Sequence, residues 1–427
     1  MQQASAADGR RPLRIALLSY RSKPHCGGQG VYVRALSREL VALGHSVEVL
    51  SGPPYPELDR VDGAGPVLTE VPSLDLYRES DPFRIPHVRE FRSPVDVLEF
   101  LLMCTAAFPE PLTFSLRAAK VLRPRVRDFD VVHDNQTLGY GLLALQRTGV
   151  PVVATVHHPI TVDREHDLEA ASGLRKRLTT WRWYSFLRMQ SHVARRLPAV
   201  LTVSESSRAD IVRDFGVSPD RLTVVPVGVE VDVFRPPTLP RVPGRIVATA
   251  SADVPIKGLV PLLEAVAKLR TERDVELVVV GRPKPGGVAA AAIERLGIAD
   301  AVRFVSGVSE PDLVELFGSA EVAVVPSLYE GFSLPAIETL ACATPLVATT
   351  AGALPEVVGP DGVTALHVPP GDPEALAAAI GRVLDDPELA ARLGAAGRAR
   401  VVELYTWRAV AERTVEWYRS ILEEHPC

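Results

Sequence analysis

Residues 322–338 read VAVVPSLYEGFSLPAIE, and this stretch decides how the rest of the sequence is interpreted. The run Val322–Pro326 is short and apolar, as is typical of a buried parallel strand. Pro335 suits the first turn of a helix, and Ser333 is placed to cap that helix. The stretch therefore predicts a strand, a loop that contains Glu330, and a helix whose first turn contains Glu338.

Two interpretations of this pair of carboxylates stay open from the stretch alone. Backbone N–H groups at a helix N-terminus form an anion site, so the loop could hold a diphosphate while Glu330 and Glu338 accept hydrogen bonds from sugar hydroxyls. Alternatively, Glu338 only steadies the helix dipole and Glu330 is a solvated loop residue.

Length and composition indicate a soluble protein of two domains. The chain has 427 residues, with 47% hydrophobic and 23% charged residues, and it lacks an apolar run of the roughly 18 residues that a membrane span needs. The polar start Met1–Arg14 lacks the apolar core of a signal peptide. The cysteines show no CxxC or metal-ligand spacing, which predicts a reduced, cytoplasmic protein without a metal site (Cys26, Cys104, Cys342, Cys427).

Charge divides the chain into unlike halves. Residues 1–235 carry 30 Lys and Arg against 27 Asp and Glu, a net +3, whereas residues 236–427 carry 17 against 25, a net −8. This asymmetry indicates two surfaces with different partners. The acidic total of −5 and the absence of a recognised motif argue against nucleic acid as a partner.

The N-terminal half reads as an alternating βα array. A strand at Arg14–Ser19 runs into Gly27 and Gly28 and then an amphipathic helix, so the backbone at that turn could approach a phosphate. The predicted strands that end in His133 and His157 place histidines at the edge where open α/β sheets bind ligands. Either histidine could equally be structural.

A basic, aromatic segment stands out at Ser172–Leu197, which contains no Asp or Glu. Arg175, Lys176 and Arg177 open it, and Trp181 follows. Such a helix suits the headgroup layer of an anionic membrane, but it also fits a long packing helix whose arginines are solvated or line an acidic-substrate cleft. The apolar stretch Val95–Phe108 predicts a buried or lid helix.

A second βα array begins at Arg245, after the proline-rich stretch Arg235–Pro243. We therefore predict two domains, an N-terminal one over residues 1–235 and a C-terminal one over 236–407, with a final helix at about 408–427 that packs back on the first. The fold class is α/β, with two doubly wound parallel sheets.

Taken together, the motifs resemble the retaining glycosyltransferases of family 4, which have the GT-B architecture of two facing Rossmann-like domains and an interdomain cleft. The resemblance spans nearly the whole chain. Its most specific part is Glu330-x7-Glu338 with Gly331-Phe332 inside it, and it also includes Gly27-Gly28, Thr155-Val156-His157, Val225–Val229 with Phe234, and Lys257-Gly258.

The resemblance assigns roles to individual residues. The C-terminal domain is expected to bind a nucleoside-diphosphate sugar and the N-terminal domain an acceptor. Lys257, Glu330 and His157 are the expected catalytic residues, with Lys257 on the diphosphate, Glu330 on the donor sugar and His157 near its anomeric carbon. The other expected donor-binding residues are Gly27, Gly28, Arg282, Gly331, Phe332, Ser333, Leu334 and Glu338, and the acceptor or membrane candidates are His133, Arg175, Lys176, Arg177 and Trp181.

One position departs from the family pattern. The family commonly has an arginine about five residues before the lysine, whereas this chain has Ala252. We expect Arg282, just beyond the next predicted strand, to substitute for it on the diphosphate.

The resemblance implies transfer of a hexose, with retention, from a sugar nucleotide to an acceptor hydroxyl. A UDP-sugar is the expected donor, with GDP and ADP as alternatives, and no cofactor is needed. The acceptor is a lipid, a lipid-linked glycan or a small metabolite, and the protein is expected in the cytoplasm, with an anionic membrane surface as a further partner. Competing hypotheses are a nucleotide-sugar epimerase or hydrolase of the same fold, and a non-enzymatic donor-binding subunit at the membrane.

Overall fold

A computed structural model describes residues 11–22, 28–60, 63–78, 80–250 and 254–424. Its contacts divide the chain into two compact units. Unit 1 comprises the described residues up to Val203, residues 207–225 and those from Val410 onward, and unit 2 comprises residues 204–206 and 226–409.

Unit 1 is built on a parallel sheet whose strand order is β3-β2-β1-β4-β5-β6-β7. The strands are β1 Arg14–Ser19, β2 Ser46–Ser51, β3 Val67–Glu70, β4 Val131–Asn135, β5 Val152–Val156, β6 Val200–Thr202 and β7 Leu222–Val224. The central strands β4 and β5 are buried along their whole length, which explains the mainly apolar run of β5, whereas β4 also buries His133, Asp134 and Asn135. Strand β3 has no clear sequence signal, because two of its four residues are exposed, none is fully buried, and it shows no sustained apolar run.

The helices of unit 1 cover the two faces of this sheet. They are α1 Gly28–Ala42, α2 Pro94–Cys104, α3 Glu110–Leu122, α4 Tyr140–Gln146, α5 Thr161–Ala170, α6 Leu174–Trp183 and α7 Phe186–Ala194, followed by α8 Glu205–Asp210, of which only residues 207–210 belong to this unit. One apolar core joins α3, α4 and α7 to the strands, through residues such as Phe114, Leu142 and Val193. Burying each such side chain contributes about 1.5–3 kcal/mol.

Helix α2, within the Val95–Phe108 stretch, buries its acidic side chains and exposes apolar ones. Its buried residues are Asp96 and Glu99, whereas the apolar side chains of Val97 and Leu101 are 46% and 56% exposed. Arg117 of α3 explains this orientation, because its Nη2 lies 2.5 Å from Asp96 Oδ1 and 2.5 Å from Glu99 Oε2. The prediction of burial is therefore wrong for the apolar side chains of this helix, and the alternative of a lid helix stays a prediction.

Unit 2 has a six-stranded parallel sheet in the order β10-β9-β8-β11-β12-β13. Its strands are β8 Val242–Thr249, β9 Glu276–Val280, β10 Val302–Val305, β11 Ala320–Val325, β12 Leu346–Thr349 and β13 Leu366–Val368. Its helices are α9 Leu259–Leu269, α10 Val288–Leu296, α11 Glu310–Ser319, α12 Leu334–Ala341, α13 Leu354–Val358, α14 Pro373–Asp385 and α15 Pro387–Leu404. A second core lies mainly among β8, β9, β11 and helices α9 and α14.

The units divide at Val225 and Pro226, about ten residues before the boundary expected from the proline-rich stretch. The intervening segment packs on unit 2: Val229 N–H donates to Tyr405 O at 2.8 Å, and the Arg398 guanidinium donates to Phe234 O and Val231 O. The proline-rich stretch therefore lies after the division between the two units rather than at it.

The last helix, α16 Trp407–Glu424, begins in unit 2 and belongs to unit 1 from Val410 onward. In unit 1, Tyr418 is fully buried and its hydroxyl lies 2.5 Å from His133 Nδ1. Within the described chain, no helix combines the length and the hydropathy needed to cross a membrane.

Candidate functional site

In each unit, the spatial order of the strands changes direction beside the unit's first strand, which is β1 in unit 1 and β8 in unit 2. In unit 2 this switch lies between β8 and β11, which pair in parallel, so the loops that leave their carboxyl ends emerge side by side. Open α/β sheets bind ligands at such a switch point. The loop after β8 contains Lys257, and the loop after β11 contains Glu330, so the structure brings these two predicted residues together.

Lys257 and Glu330 form an ion pair. Lys257 Nζ lies 2.8 Å from Glu330 Oε1, and Ser327 Oγ donates to the same oxygen at 2.7 Å. The Glu330 side chain is 13% exposed and the Lys257 side chain is 33% exposed. Ser327 belongs to the motif that carries the family resemblance, but no role was expected for it, because a serine three residues before a glutamate carries no signal of its own.

The main chain holds the two loops together at close range. Leu328 N–H donates to Ile256 O at 2.7 Å. Gly258 adopts a φ of +65°, and a Cβ at this position would lie 1.9 Å from Pro326 O. No side chain fits there, so the glycine after Lys257 is required by the close approach of the loops.

Ser333 differs from its predicted role. It precedes α12 with φ +95° and ψ 86°, a left-handed conformation that is strained for a non-glycine residue. Its side chain makes no cap hydrogen bond, and its buried Oγ has no partner among the described residues. The expected serine cap is therefore wrong, and the first-turn N–H groups of α12 have no acceptor within the helix.

Glu338 is the fifth residue of α12, so it lies in the second turn rather than the first. Burial raises the pKa of its carboxyl to about 7, with a smaller contribution from the charge of Glu310. A carboxyl of this kind exchanges its proton near neutral pH and is a common feature of ligand sites.

In unit 1, His157 follows β5 and is partly buried. Its Nε2 lies 2.8 Å from Asn135 Oδ1, and its backbone N–H donates to Gln136 Oε1 at 2.8 Å. Burial, together with the neighbouring His158, lowers the pKa of His157 to about 3, so the imidazole is neutral.

Both ring nitrogens of His133 are already hydrogen-bonded within unit 1, so neither is available to an acceptor substrate. It is fully buried, with Nδ1 2.5 Å from the Tyr418 hydroxyl and Nε2 2.7 Å from Thr155 Oγ1. The expectation that His133 contacts the acceptor is therefore not met, because both nitrogens serve the packing of unit 1.

The other expected contacts are placed as follows. Gly27 and Ala252 lie outside the described residues, while Gly28 is the exposed first residue of α1. Arg282 is exposed in the loop after β9, with its guanidinium 3.3 Å from Ser306 Oγ. Strand β9 neighbours β8, so this loop leaves the same edge of the sheet as Lys257.

The basic segment folds as α6 and α7. Arg175, Lys176 and Arg177 are exposed on α6, and Trp181 is 47% exposed beneath the Arg188 guanidinium, 4.8 Å from the ring. The nearby Leu174 and Leu178, also on α6, are exposed as well (Leu174 75%, Leu178 59%).

Comparison with known proteins identifies the family. Residues 26–233 match the family model described as Glycosyltransferase Family 4, and residues 232–400 match Glycosyl transferases group 1. The chain is 58% identical over 412 residues to the MMP alpha-(1->4)-mannosyltransferase of Mycolicibacterium hassiacum, covering 96% of this chain and 98% of that protein. The chain belongs to glycosyltransferase family 4.

More distant members of the family also match over nearly their full length. The D-inositol 3-phosphate glycosyltransferase of Thermobispora bispora is 31% identical over 452 residues, covering 98% of this chain and 97% of that protein. These relatives show that the chain is a glycosyltransferase.

Solved structures agree on the GT-B fold. Sucrose-phosphate synthase from Thermosynechococcus elongatus matches with a TM-score of 0.70 at 25% identity, covering 97% of this chain and all of that one. HepE from Anabaena, solved with UDP and glucose, matches with a TM-score of 0.67 at 17% identity, covering 96% of this chain and all of HepE. The two parallel-sheet units are thus the two domains of a GT-B glycosyltransferase.

Among the described residues, no three His, Cys, Asp or Glu side chains are grouped so that they could hold a metal ion. Lys257, Ser327 and Glu330 meet at the switch point of unit 2, and the segment that follows Glu330 leads through Ser333 into α12, which carries Glu338. They offer one cation, hydrogen-bond acceptors and free helical N–H groups, which suits a ligand that carries both phosphate and hydroxyl groups.

Proposed function

We propose that the chain transfers a mannosyl group, with retention, from a nucleoside-diphosphate sugar to a hydroxyl of a sugar-containing acceptor. The observation that carries the proposal is the Lys257–Glu330 ion pair beside the uncapped start of α12 at the switch point of unit 2. The choice of mannose rests on the 58% identity to a mannosyltransferase.

The donor contacts follow from the chemistry of these residues. Phosphate oxygens would accept hydrogen bonds from Lys257 Nζ and from the N–H groups of Ser333 and Leu334. The strained backbone at Ser333 would hold the two N–H donors in place. Gly331 and Phe332 shape the loop, and Glu338 would accept from the ribose. Because negative charge grows on the leaving diphosphate in the transition state, fixed donors there lower the barrier.

Glu330 would act on the donor sugar. A diphosphate draws Lys257 away from the carboxylate, which frees Glu330 Oε1 to accept a sugar hydroxyl. His157, a neutral imidazole, would contact the transferred sugar through a hydrogen bond rather than as a cation, since its pKa lies far below neutral pH. Retention would follow from attack on the same face of the sugar, with the leaving phosphate assisting the acceptor's deprotonation.

The central experiment supplies the protein with UDP-, GDP- and ADP-hexoses, including the mannose forms, and a short mannoside acceptor. We expect released nucleoside diphosphate and a product whose new linkage keeps the α configuration of the donor by NMR. A product of inverted configuration would overturn the retaining step, and failure to transfer from any donor would overturn the proposal.

The same donors without an acceptor test the competing enzyme. Rapid, complete conversion to an epimer or to free sugar would favour an epimerase or hydrolase of this fold. The non-enzymatic alternative is tested in cells, where it requires that Glu330→Ala leave the phenotype intact. We expect Glu330→Ala to abolish function, because the carboxylate would contact the donor sugar.

Arg282 is proposed to supply the phosphate contact that Ala252 does not. Its loop leaves the same sheet edge as Lys257, and its contact with Ser306 is long, at 3.3–3.4 Å. We expect Arg282→Ala to weaken nucleoside diphosphate binding by about 1.5–3 kcal/mol in calorimetry. Unchanged affinity would show that Arg282 does not substitute for the missing arginine.

We also propose that α6 binds an anionic membrane surface, which would present lipid-linked acceptors. The exposed Leu174, Leu178 and Trp181 beside Arg175, Lys176 and Arg177 combine apolar and basic groups on one helix. Charge reversal of the three basic residues should release the protein from anionic vesicles at low salt.

The matched control reverses Lys120, Arg123 and Arg127, which are exposed basic residues of the same unit outside α6. We expect this control to bind vesicles as the parent protein does. If the parent protein itself does not bind such vesicles at low salt, the membrane proposal fails and a small soluble acceptor is favoured.

A further inference from the structure

The loop after β4 in unit 1 is strained and closely held. Gln136 and Leu138 have φ values of +57° and +50°, although neither is glycine. Leu138 N–H donates to Asp134 Oδ2 at 2.8 Å, and the Gln190 amide donates to Gln136 O and Thr137 O at 3.1 and 3.2 Å. Such strain persists only where surrounding contacts impose it, and it gathers at functional sites.

The strained loop fixes the main chain of the loop after β5. Gln136 Oε1 accepts from His157 N–H at 2.8 Å, and Gln136 Nε2 donates to His158 O at 2.8 Å. One side chain therefore brackets the peptide between the two histidines. This bracket sets the backbone from which the His157 ring projects.

Asn135 then fixes the ring itself. Its Nδ2 faces Gln29 O at 3.5 Å, and a carbonyl can only accept, so the other amide atom facing His157 is Oδ1. Oδ1 also can only accept, so the proton of the neutral imidazole sits on Nε2. His157 Nδ1 is left deprotonated, with no hydrogen bond to the described residues, and it is not among the buried unpartnered atoms.

The surroundings keep this ring neutral. The Tyr32 ring lies edge-on at 4.8 Å, and burial raises the pKa of Tyr32 to about 12. His158, on the same loop, is the neighbouring titratable group whose charge opposes protonation of His157, and His157 in turn opposes protonation of His133 on β4. His158 itself lies 3.4 Å from Asp163 of α5.

We propose that Asn135 is a positioning residue that holds His157 in the Nε2–H tautomer, so that Nδ1 is presented as a hydrogen-bond acceptor for a substrate hydroxyl. The inference rests on the proposed glycosyl transfer. On this proposal the His157 ring acts in its neutral form, through the unprotonated Nδ1. The reaction then depends on Asn135 although Asn135 does not contact the substrate.

A double-mutant cycle tests the coupling. Asn135→Ala should lower kcat/KM for transfer by about 10- to 100-fold, because a misplaced group loses its alignment. In a His157→Ala background the same substitution should change kcat/KM by no more than about twofold, since the group it positions is gone. Equal losses in both backgrounds would overturn the inference.

Asn135→Asp separates positioning from a structural role. The carboxylate accepts the same hydrogen bond, but its charge raises the pKa of His157 and so protonates Nδ1 as the pH falls. We expect near-parental activity at pH 9 and a progressive loss toward pH 6 that the parent protein does not show. A profile parallel to the parent's would contradict the role of Nδ1.

Two measurements keep the outcome decisive. The ¹⁵N shifts of His157 report the tautomer without activity, and they should show Nε2–H in the parent and a mixture of tautomers in Asn135→Ala. Binding of a nucleoside diphosphate, which depends on unit 2 residues, should be unchanged in both variants and so confirms folding. If the parent transfers sugar while Asn135→Ala is unimpaired, the positioning role alone fails, whereas no transfer by the parent from any donor means that the proposed function fails.

Discussion

At the scale of single residues, Gly258 shows how one missing side chain positions a charge. Gly258 and Gly297 share a φ of +65°, but a Cβ on Gly258 would meet Pro326 O at 1.9 Å, whereas a Cβ on Gly297 would meet nothing within 4 Å. The two glycines therefore separate the cost of backbone conformation from the cost of close approach.

We predict that Gly297→Ala lowers the free energy of unfolding by about 1 kcal/mol, the cost of a left-handed conformation. Gly258→Ala should cost clearly more, because Pro326 O must move, and it should also weaken nucleoside diphosphate binding by shifting Lys257. Denaturant unfolding and calorimetry check both effects. Equal unfolding free energies for the two variants would refute the close approach.

Glu338 makes a prediction about pH. Its pKa of about 7 in the folded protein lies above the ordinary value of 4.5, so the folded state keeps a proton that the unfolded chain has lost between these values. The resulting stability is fully present below pH 4.5 and is lost as the pH rises through about 7. Glu338→Gln, which cannot ionise, should therefore gain stability relative to the parent as the pH rises from 5 to 8.

The measurement is thermal unfolding of both proteins across this range, with the exposed Glu403→Gln as the matched control. Glu338→Gln should also bind the donor more weakly, because the carboxylate acceptor is lost. A stability difference that stays constant with pH would show that burial does not hold the proton on Glu338.

At the scale of elements, α2 shows where sequence patterns mislead. The apolar side chains of this helix suggested burial, but its buried face carries Asp96 and Glu99 because Arg117 of α3 binds both. Burial raises the pKa of Glu99 even beside this guanidinium. The orientation of the helix thus depends on one charge that lies in another helix.

We predict that Arg117→Ala lowers the free energy of unfolding by about 3–5 kcal/mol, since it leaves two carboxylates buried without a counterion. Arg125→Ala provides the control, because Arg125 is 44% exposed and Glu48, its partner at 2.8 Å, also accepts from Thr69, so the loss should be no more than about 1 kcal/mol. Denaturant unfolding measures both, and similar small losses would mean that Arg117 does not fix α2.

The sequence predicted the parallel sheets well because buried parallel strands are continuous apolar runs, as in β5 and β11. It missed β3, a half-exposed strand beyond β2. It also predicted the loops that contain Lys257 and Glu330, since each of these residues lies in a family motif whose residues are close together in the sequence. The roles of Ser327, Asn135 and Gln136 depend on contacts or backbone strain that no local pattern records, and the same is true of the uncapped Ser333.

At the scale of the whole molecule, the switch point of unit 2 predicts that ligand and stability are linked. A nucleoside diphosphate that binds only the folded protein at 100 times its dissociation constant adds about 2.7 kcal/mol of stability. For a unit of this size we expect the unfolding temperature to rise by roughly 5–10 °C. The matching base among UDP, GDP and ADP should give the largest shift.

Lys257→Ala should remove most of this shift, whereas Lys268→Ala, an exposed lysine on α9, should leave it unchanged. The corresponding nucleoside monophosphate provides a ligand control, since it lacks the second phosphate that Lys257 would hold. An undiminished shift in Lys257→Ala would place the diphosphate elsewhere.

The Lys257–Glu330 ion pair also bears on how the enzyme would release its product. A nucleoside diphosphate without sugar would separate the pair and leave the Glu330 carboxylate with the Ser327 hydroxyl but without a cation, whereas the intact donor would give that carboxylate a sugar hydroxyl in exchange. After transfer of the sugar, Lys257 would re-form its ion pair with Glu330, and the nucleoside diphosphate would lose its contact with the Lys257 ammonium group. On this proposal Glu330 would compete with the leaving nucleoside diphosphate for Lys257, and we expect the protein to bind the sugar donor more tightly than the nucleoside diphosphate.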